Sequence, residues 1–217
     1  RDSHGIDVAT FLAEEAMRLG YASQCVPRAQ LDAAAMEKAR LLAGYSRDAM
    51  LYSKELLNIM EGVSETEFSP NTEVTRAQAV QILYNLEGQP TVDGDNEFTD
   101  VSGWYETAVT WAAQTGVATG YGDGTFQPGD NITRQEFAQM LFNYAKFKGY
   151  DLTAEGDLSQ FPDSGSVADW AEAAMSWANG NELINGHDNG TIDAGGTAIR
   201  AQAASILMKF DQNLTEE

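Results

Sequence analysis

Thr133-Arg134-Gln135-Glu136 is the stretch that decides the fold. A threonine oxygen can accept one of the orphaned N–H groups at a helix start, and a glutamate three residues on can return the bond. The four residues therefore read as a capping box. A helix is predicted from Arg134 to about Lys148, with Phe137, Met140, Leu141 and Tyr144 spaced as its apolar face. Arg134 is then the first helical residue, where a cation opposes the helix dipole at ~0.3–1 kcal/mol. The pattern recurs as Thr75-Arg76-Ala77-Gln78 and, degraded, as Ile199-Arg200-Ala201-Gln202. Three arginines in one unfavourable place point to a task other than helix stability, and a helix N-terminus beside an arginine is a ready anion site. On this reading, replacing Arg134 by alanine leaves the fold intact or slightly improved.

From residue 45 onward the chain repeats itself. Gly62, Gly120 and Gly186 superpose with offsets of 58 and 66 residues, and the same offsets superpose Arg76, Arg134 and Arg200. Each unit reads helix, glycine-rich turn, helix. In the middle unit the first helix is expected to hold Trp104, Ala108, Val109 and Trp111 and to stop at Gly116. The third unit offers Trp170, Ala174, Met175 and Trp177, and its second helix runs from Arg200 to Phe210. The first unit has Met50 and Leu51 in its first helix. A hairpin with one apolar face cannot bury it alone, so three units must pack together. Residues 88–97 and 149–160 are polar and read as exposed crossovers. Each leads to Phe98-Thr99-Asp100 or Phe161-Pro162-Asp163, where the phenylalanines are expected to anchor in the core. The aspartates are expected beside a helix start. Trp111 and Trp177 are expected in the core.

The 217 residues are 43% hydrophobic, which is a globular composition. Net charge is −20, with five basic against six acidic residues in 1–44 and eight against 27 in 45–217. Such a field repels phosphate and argues against nucleic acid. No apolar run reaches the ~18 residues of a membrane span, so membrane insertion is not expected. The lone Cys25 excludes an internal disulfide. The start at Arg1 reads as an excised fragment. Residues 1–44 read as two helices, one ended by Gly20 and one begun after Pro27. His4 and Cys25 lack a third member for nucleophilic catalysis. No nucleophile–base pair or phosphate loop is visible, so no enzyme, catalytic residue or cofactor is expected. The loop aspartates Asp123, Asp130, Asp188 and Asp193 lack the ligand order of a calcium loop, and turn formation suffices for them, so no metal site is expected.

The middle unit, Phe98-Thr99-Asp100-Val101, Trp104-Tyr105, Gly120-Tyr121-Gly122-Asp123-Gly124-Thr125-Phe126-Gln127-Pro128 and Ile132-Thr133-Arg134-Gln135-Glu136, resembles the S-layer homology family. The resemblance covers residues ~45–213. The first unit lacks the opening Phe-x-Asp and has Ser46 where the tryptophan belongs; the third has Ile199 for the capping threonine and Ala194 for the loop proline. The resemblance implies an all-α fold: a pseudo-threefold bundle of three helix-loop-helix repeats with extra N-terminal helices. The segments are then 1–44, an N-terminal helical extension, and repeats at 45–90, 91–150 and 151–217. It further implies a secreted module that anchors its parent protein non-covalently at a bacterial cell wall. The implied partner is a secondary cell-wall polysaccharide carrying pyruvylated N-acetylmannosamine, bound in grooves between repeats.

Carried over residue by residue, Arg76, Arg134 and Arg200 are expected to take the ketal carboxylate. Trp104, Trp170 and Tyr105 are expected to wall the sugar. Gly62, Gly120 and Gly186 are expected to let the backbone approach it. The Arg134 site is expected to be strongest and the Arg200 site weakest, because Ile199 cannot cap. The competing reading is a protein–protein or surface-array module on the same fold; it requires dry apolar grooves in place of polar and aromatic ones.

Overall fold

A computed structural model describes Met60 and residues 69–214, all within the compact unit Tyr52–Glu217. The expected helices of residues 1–44, the first helix of the first repeat and Gly62 lie outside the described residues. Five α-helices are described: α1 Arg76–Leu86, α2 Glu106–Thr115, α3 Arg134–Lys148, α4 Glu172–Gly180 and α5 Arg200–Leu214. Among the described residues there are no strands, and the fold is all-α as expected.

The helix starts follow from sequence. Thr75 and Thr133 both form complete capping boxes, with Gln78 and Glu136 as the returning partners. At the third start, Ile199 offers no side-chain acceptor, but its N–H still donates to Gln202 Oε1 at 3.1 Å. Half of the box survives, and the helix start is not frayed as expected from the missing threonine. Gly116 (φ 72°) and Gly149 (φ 76°) end α2 and α3 in the left-handed conformation. Two boundaries differ from expectation: α2 begins after Trp104, and Trp170 lies in the 3-10 turn Asp169–Ala171 before α4.

The three repeats meet in a closed ring of main-chain bonds. Ile132 N–H donates to Val74 O (2.8 Å), Val74 N–H to Ala198 O (2.9 Å) and Ala198 N–H to Ile132 O (2.9 Å). These positions carry the same 58- and 66-residue offsets as the arginines, and all three side chains are buried. The ring is the pseudo-threefold axis. The tightest helix pairs join α1 with α2 and α3 with α4. The second helix of one repeat therefore packs on the first helix of the next, so the packed unit straddles the repeat boundary. Trp111 and Trp177 are buried as expected, among Tyr84, Tyr144, Phe142 and Phe210.

The second crossover is not simply exposed. Leu152, Ala154 and Leu158 pack against the core while Asp151, Thr153, Glu155 and Asp157 face water. Residue 156 is pinned to α4 by Gly156 N–H donating to Ser176 O and Ser176 Oγ donating to Gly156 O, both at 2.9 Å. That alternation is the period-2 signature of an extended strap.

Candidate functional site: grooves between repeats

Arg76 and Arg134 cross from their own helix into the loop of the following repeat. Arg76 is 4% exposed; its Nε donates to Phe126 O at 3.0 Å, its Nη2 to Thr119 O at 3.1 Å and its Nη1 to Glu136 Oε1 at 3.0 Å. The guanidinium lies over the rings of Tyr121 and Phe126, 4.7 and 4.8 Å from their centroids. Arg134 is 5% exposed; its Nε donates to Ile192 O at 3.1 Å and its Nη2 to Asn185 O at 2.9 Å. Burial lowers its pKa, while the carboxylates of Asp193 and Asp163 act to raise it. Arg200 is 4% exposed at the equivalent position.

These contacts correct two expectations. The helix N-termini are not open to an anion, because loop carbonyls of another repeat already take their donors. Arg76 and Ala77 N–H donate to Asp130 and Pro128 O, Arg134 and Gln135 N–H to Gly196 and Ala194 O, and Arg200 and Ala201 N–H to Thr72 and Pro70 O. Nor is Arg134 a misplaced surface cation whose removal relieves the helix dipole. Its long-range bonds to buried carbonyls outweigh a dipole term of ~0.3–1 kcal/mol, since hydrogen bonds to charged groups contribute ~1.5–3 kcal/mol each.

The loop is held by groups whose role differs from expectation. Asp100 accepts from Phe126 and Gln127 N–H, and Asp163 from Ile192 and Asp193 N–H, all at 2.8 Å. They staple the loops and do not cap a helix. A Cβ on Gly120 would lie 2.5 Å from the Phe98 ring and 2.4 Å from Thr125 O; one on Gly186 would lie 2.5 Å from the Phe161 ring. These glycines seat the phenylalanines that end each crossover. Asp123 forms a turn, accepting from the Thr125 N–H and hydroxyl.

A groove of about 260 Å³ opens beside Arg76, lined by Thr119, Gly120, Tyr121, Glu136, Gln139 and Asn143 of the second repeat, by the apolar Val117, Ala118 and Met140 of the same repeat, and by Trp170 of the third. Trp170 is 56% exposed. Of the expected site residues, the structure brings Arg76, Gly120 and Trp170 together here. Trp104 and Tyr105 stand edge to face with each other, 5.1 Å apart, and do not line this groove.

Sequence reasoning missed Tyr121, Gln139 and Asn143 as groove residues and Glu136 as more than a cap. The available signal was helical spacing, since 136, 139 and 143 fall on one face of α3. Glu136 accepts from Thr133 N–H and hydroxyl with Oε2, and from Tyr121 and Arg76 with Oε1. Burial pushes its carboxyl up, but the Thr133, Tyr121 and Arg76 donors outweigh that and hold it below its ordinary value. Burial and the Glu136 bond push the Tyr121 phenol up.

Three segments, 36–80, 97–138 and 160–204, match the family model of the S-layer homology domain. The chain belongs to the S-layer homology family. An endoglucanase from Bacillus sp. (strain KSM-635) is 30% identical over 72% of this chain and 16% of its own length. The surface-layer 125 kDa protein of Lysinibacillus sphaericus is 31% identical over 82% of this chain and 14% of its own. The cellulosome-anchoring protein of Acetivibrio thermocellus is 27% identical over 64% of this chain and 32% of its own. The chain thus spans well under two thirds of these relatives. Its S-layer homology repeats are a cell-surface anchoring module, not a catalytic one, and the enzymes among the relatives match only through that part. No helix among the described residues is long and apolar enough to cross a membrane.

Proposed function

We propose that this module holds a secreted parent protein at a bacterial cell wall by binding pyruvylated secondary cell-wall polysaccharide, non-covalently, in the grooves between repeats. The observation that carries the reading is the lining of the Arg76 groove. A buried arginine, a glutamate, two amides and an exposed tryptophan converge on one opening. A sugar presents hydroxyls and an apolar ring face, and polar groups that fix orientation beside an aromatic wall match both. Arg76, Arg134 and Arg200, with Trp170, Trp104 and Tyr105, are the proposed contact residues; Gly62, Gly120 and Gly186 shape the loops that frame them.

The test is sedimentation of the 217-residue chain with purified cell walls, before and after chemical removal of pyruvyl ketals. Binding should fall sharply once the ketals are gone. Undiminished binding would remove the ketal from the recognition, and no binding to either wall would favour the protein–protein reading.

A further inference from the structure

The sequence holds three Asn-Gly pairs, at 179–180, 185–186 and 189–190, all in the third repeat. An asparagine before a glycine is open to attack on its side-chain carbon by the glycine's own main-chain nitrogen, because no Cβ shields that nitrogen. The folded chain treats the three pairs differently.

Asn179 and Gly180 are the last residues of α4. Asn179 Nδ2 donates to Ile184 O at 3.0 Å, and a Cβ on Gly180 would lie 2.8 Å from the Glu155 backbone. Asn185 is exposed, but its main-chain carbonyl holds Nη2 of Arg134 at 2.9 Å, and Gly186 is pressed against the Phe161 ring. Neither segment can turn its glycine nitrogen onto the side chain without undoing a long-range contact. Asn189 and Gly190 are both exposed, and the space around Gly190 is open. Gly190 N–H donates to His187 O at 2.8 Å, a single bond in a surface turn, and such bonds open locally at little cost. The Asn189 side-chain oxygen accepts from Thr191 N–H at 3.1 Å and from the Thr191 hydroxyl at 2.8 Å. Donors on that oxygen stabilise the negative charge it gains when its carbon is attacked.

We propose that Asn189 is a self-modification site of the folded chain. The Gly190 nitrogen bonds to Cγ of Asn189, the Cγ–Nδ2 bond breaks, and the amide nitrogen leaves as ammonia with the Gly190 proton. Water then opens the cyclic imide. Cleavage at Cγ leaves aspartate; cleavage at the main-chain carbonyl leaves isoaspartate, with the chain running through Cγ. The second repeat already carries the first product. Asp123 stands 66 residues earlier at the same place and accepts from Thr125 N–H at 2.9 Å and from its hydroxyl at 2.7 Å. The Thr125 donors hold the Asp123 carboxyl below its ordinary value. An ionised carboxylate is a poor target for a nitrogen nucleophile, so aspartate at 189 is an end point. Isoaspartate instead lengthens the main chain inside the loop whose Asn185 and Ile192 carbonyls hold Arg134.

The test is ageing of the 217-residue chain in mildly alkaline buffer, folded and in urea. Peptide mapping with electron-transfer fragmentation locates the change and separates aspartate from isoaspartate. In the folded chain Asn189 should convert at least fivefold faster than Asn179 or Asn185, and in urea the three rates should converge. T191V removes the hydroxyl donor and should slow Asn189 at least threefold; T191S keeps it and should retain the rate. N189D should melt as the unmodified chain does, whereas the isolated isoaspartyl form should melt lower. Conversion of Asn185 as fast as Asn189 in the folded chain would overturn the assignment. So would an unchanged rate in folded T191V, or a slowed one in T191S. A lowered melting temperature in N189D would overturn the reading of Asp123 as the product already in place.

Discussion

At Arg76 a carboxylate, Glu136, closes the charge of the guanidinium; in the next repeat Gln202 stands at the Glu136 position, and the ion pair is not repeated for Arg134 among the described residues. The seats of the two arginines are otherwise built alike. Each arginine binds two carbonyls of the following loop, each loop is stapled by an aspartate, and each glycine seats a phenylalanine. The difference teaches that the arginines serve the fold first. What a ligand meets is set by the variable positions around them: Tyr121 or His187, Glu136 or Gln202.

The sharpest way to break that comparison is to remove each arginine. Arg76→Ala takes the counter-charge and one donor from Glu136 and strands two carbonyls. It should cost about 3 kcal/mol, the low end for breaking a buried pair, because Glu136 retains some exposure. Arg134→Ala strands carbonyls alone and should cost about 2 kcal/mol. Chemical denaturation measures both, and a larger loss at Arg134 would show that Glu136 adds nothing to the first boundary.

The loop seats differ more finely. Gly120→Ala drives a Cβ into backbone as well as ring and should cost about 2–3 kcal/mol, within the range for overpacking. At Gly186 the backbone oxygen is further away, 3.1 Å against 2.4 Å, so Gly186→Ala should cost about 1 kcal/mol. Melting temperatures rank them, and the reverse order would mean that the second loop is the stiffer one.

Acid should weaken the first boundary through Glu136. The Glu136 carboxyl is held below its ordinary value when folded. Its contribution is therefore full above the unfolded value, about 4.3, and is lost as pH falls through the lower folded one. Stability measured against pH should show a shallower acid decline in E136Q than in the unmodified chain; parallel declines would exclude Glu136 as a source of acid sensitivity. The smallest effect on stability belongs to Trp170→Ala, within ~0.5 kcal/mol because the ring is largely exposed. Affinity for released wall polymer should nevertheless fall about tenfold, or ~1.4 kcal/mol. Unchanged affinity would take Trp170 off the groove wall.

Much of the fold was legible in sequence because its signals are local. The capping box at Thr133, the spacing of Phe137 to Tyr144 and the glycines at 116 and 149 each act within a turn or two, and α3 spans the expected Arg134–Lys148. The roles that were misread depend on partners far along the chain. Asp100 looked like a helix-start carboxylate because its acceptors' donors, at 126 and 127, are brought back only by the folded loop. Gly120 looked like a ligand-approach glycine because nothing in its own loop announces the Phe98 ring. Arg134 looked costly because its carbonyl partners sit 51 and 58 residues away in another repeat. Trp170 was read as exposed for a ligand and does line a groove, but its meeting with Arg76 there was not legible, since the groove draws on all three repeats.

The ring of bonds through Val74, Ile132 and Ala198 has a consequence for how such a chain can change length. Each segment donates to one neighbour and accepts from the other, and three members close the ring. A chain that loses one repeat leaves two main-chain groups stranded at the axis. A fourth repeat can enter only by opening and widening the ring, whereas a second triplet can close a ring of its own and leave the first axis untouched.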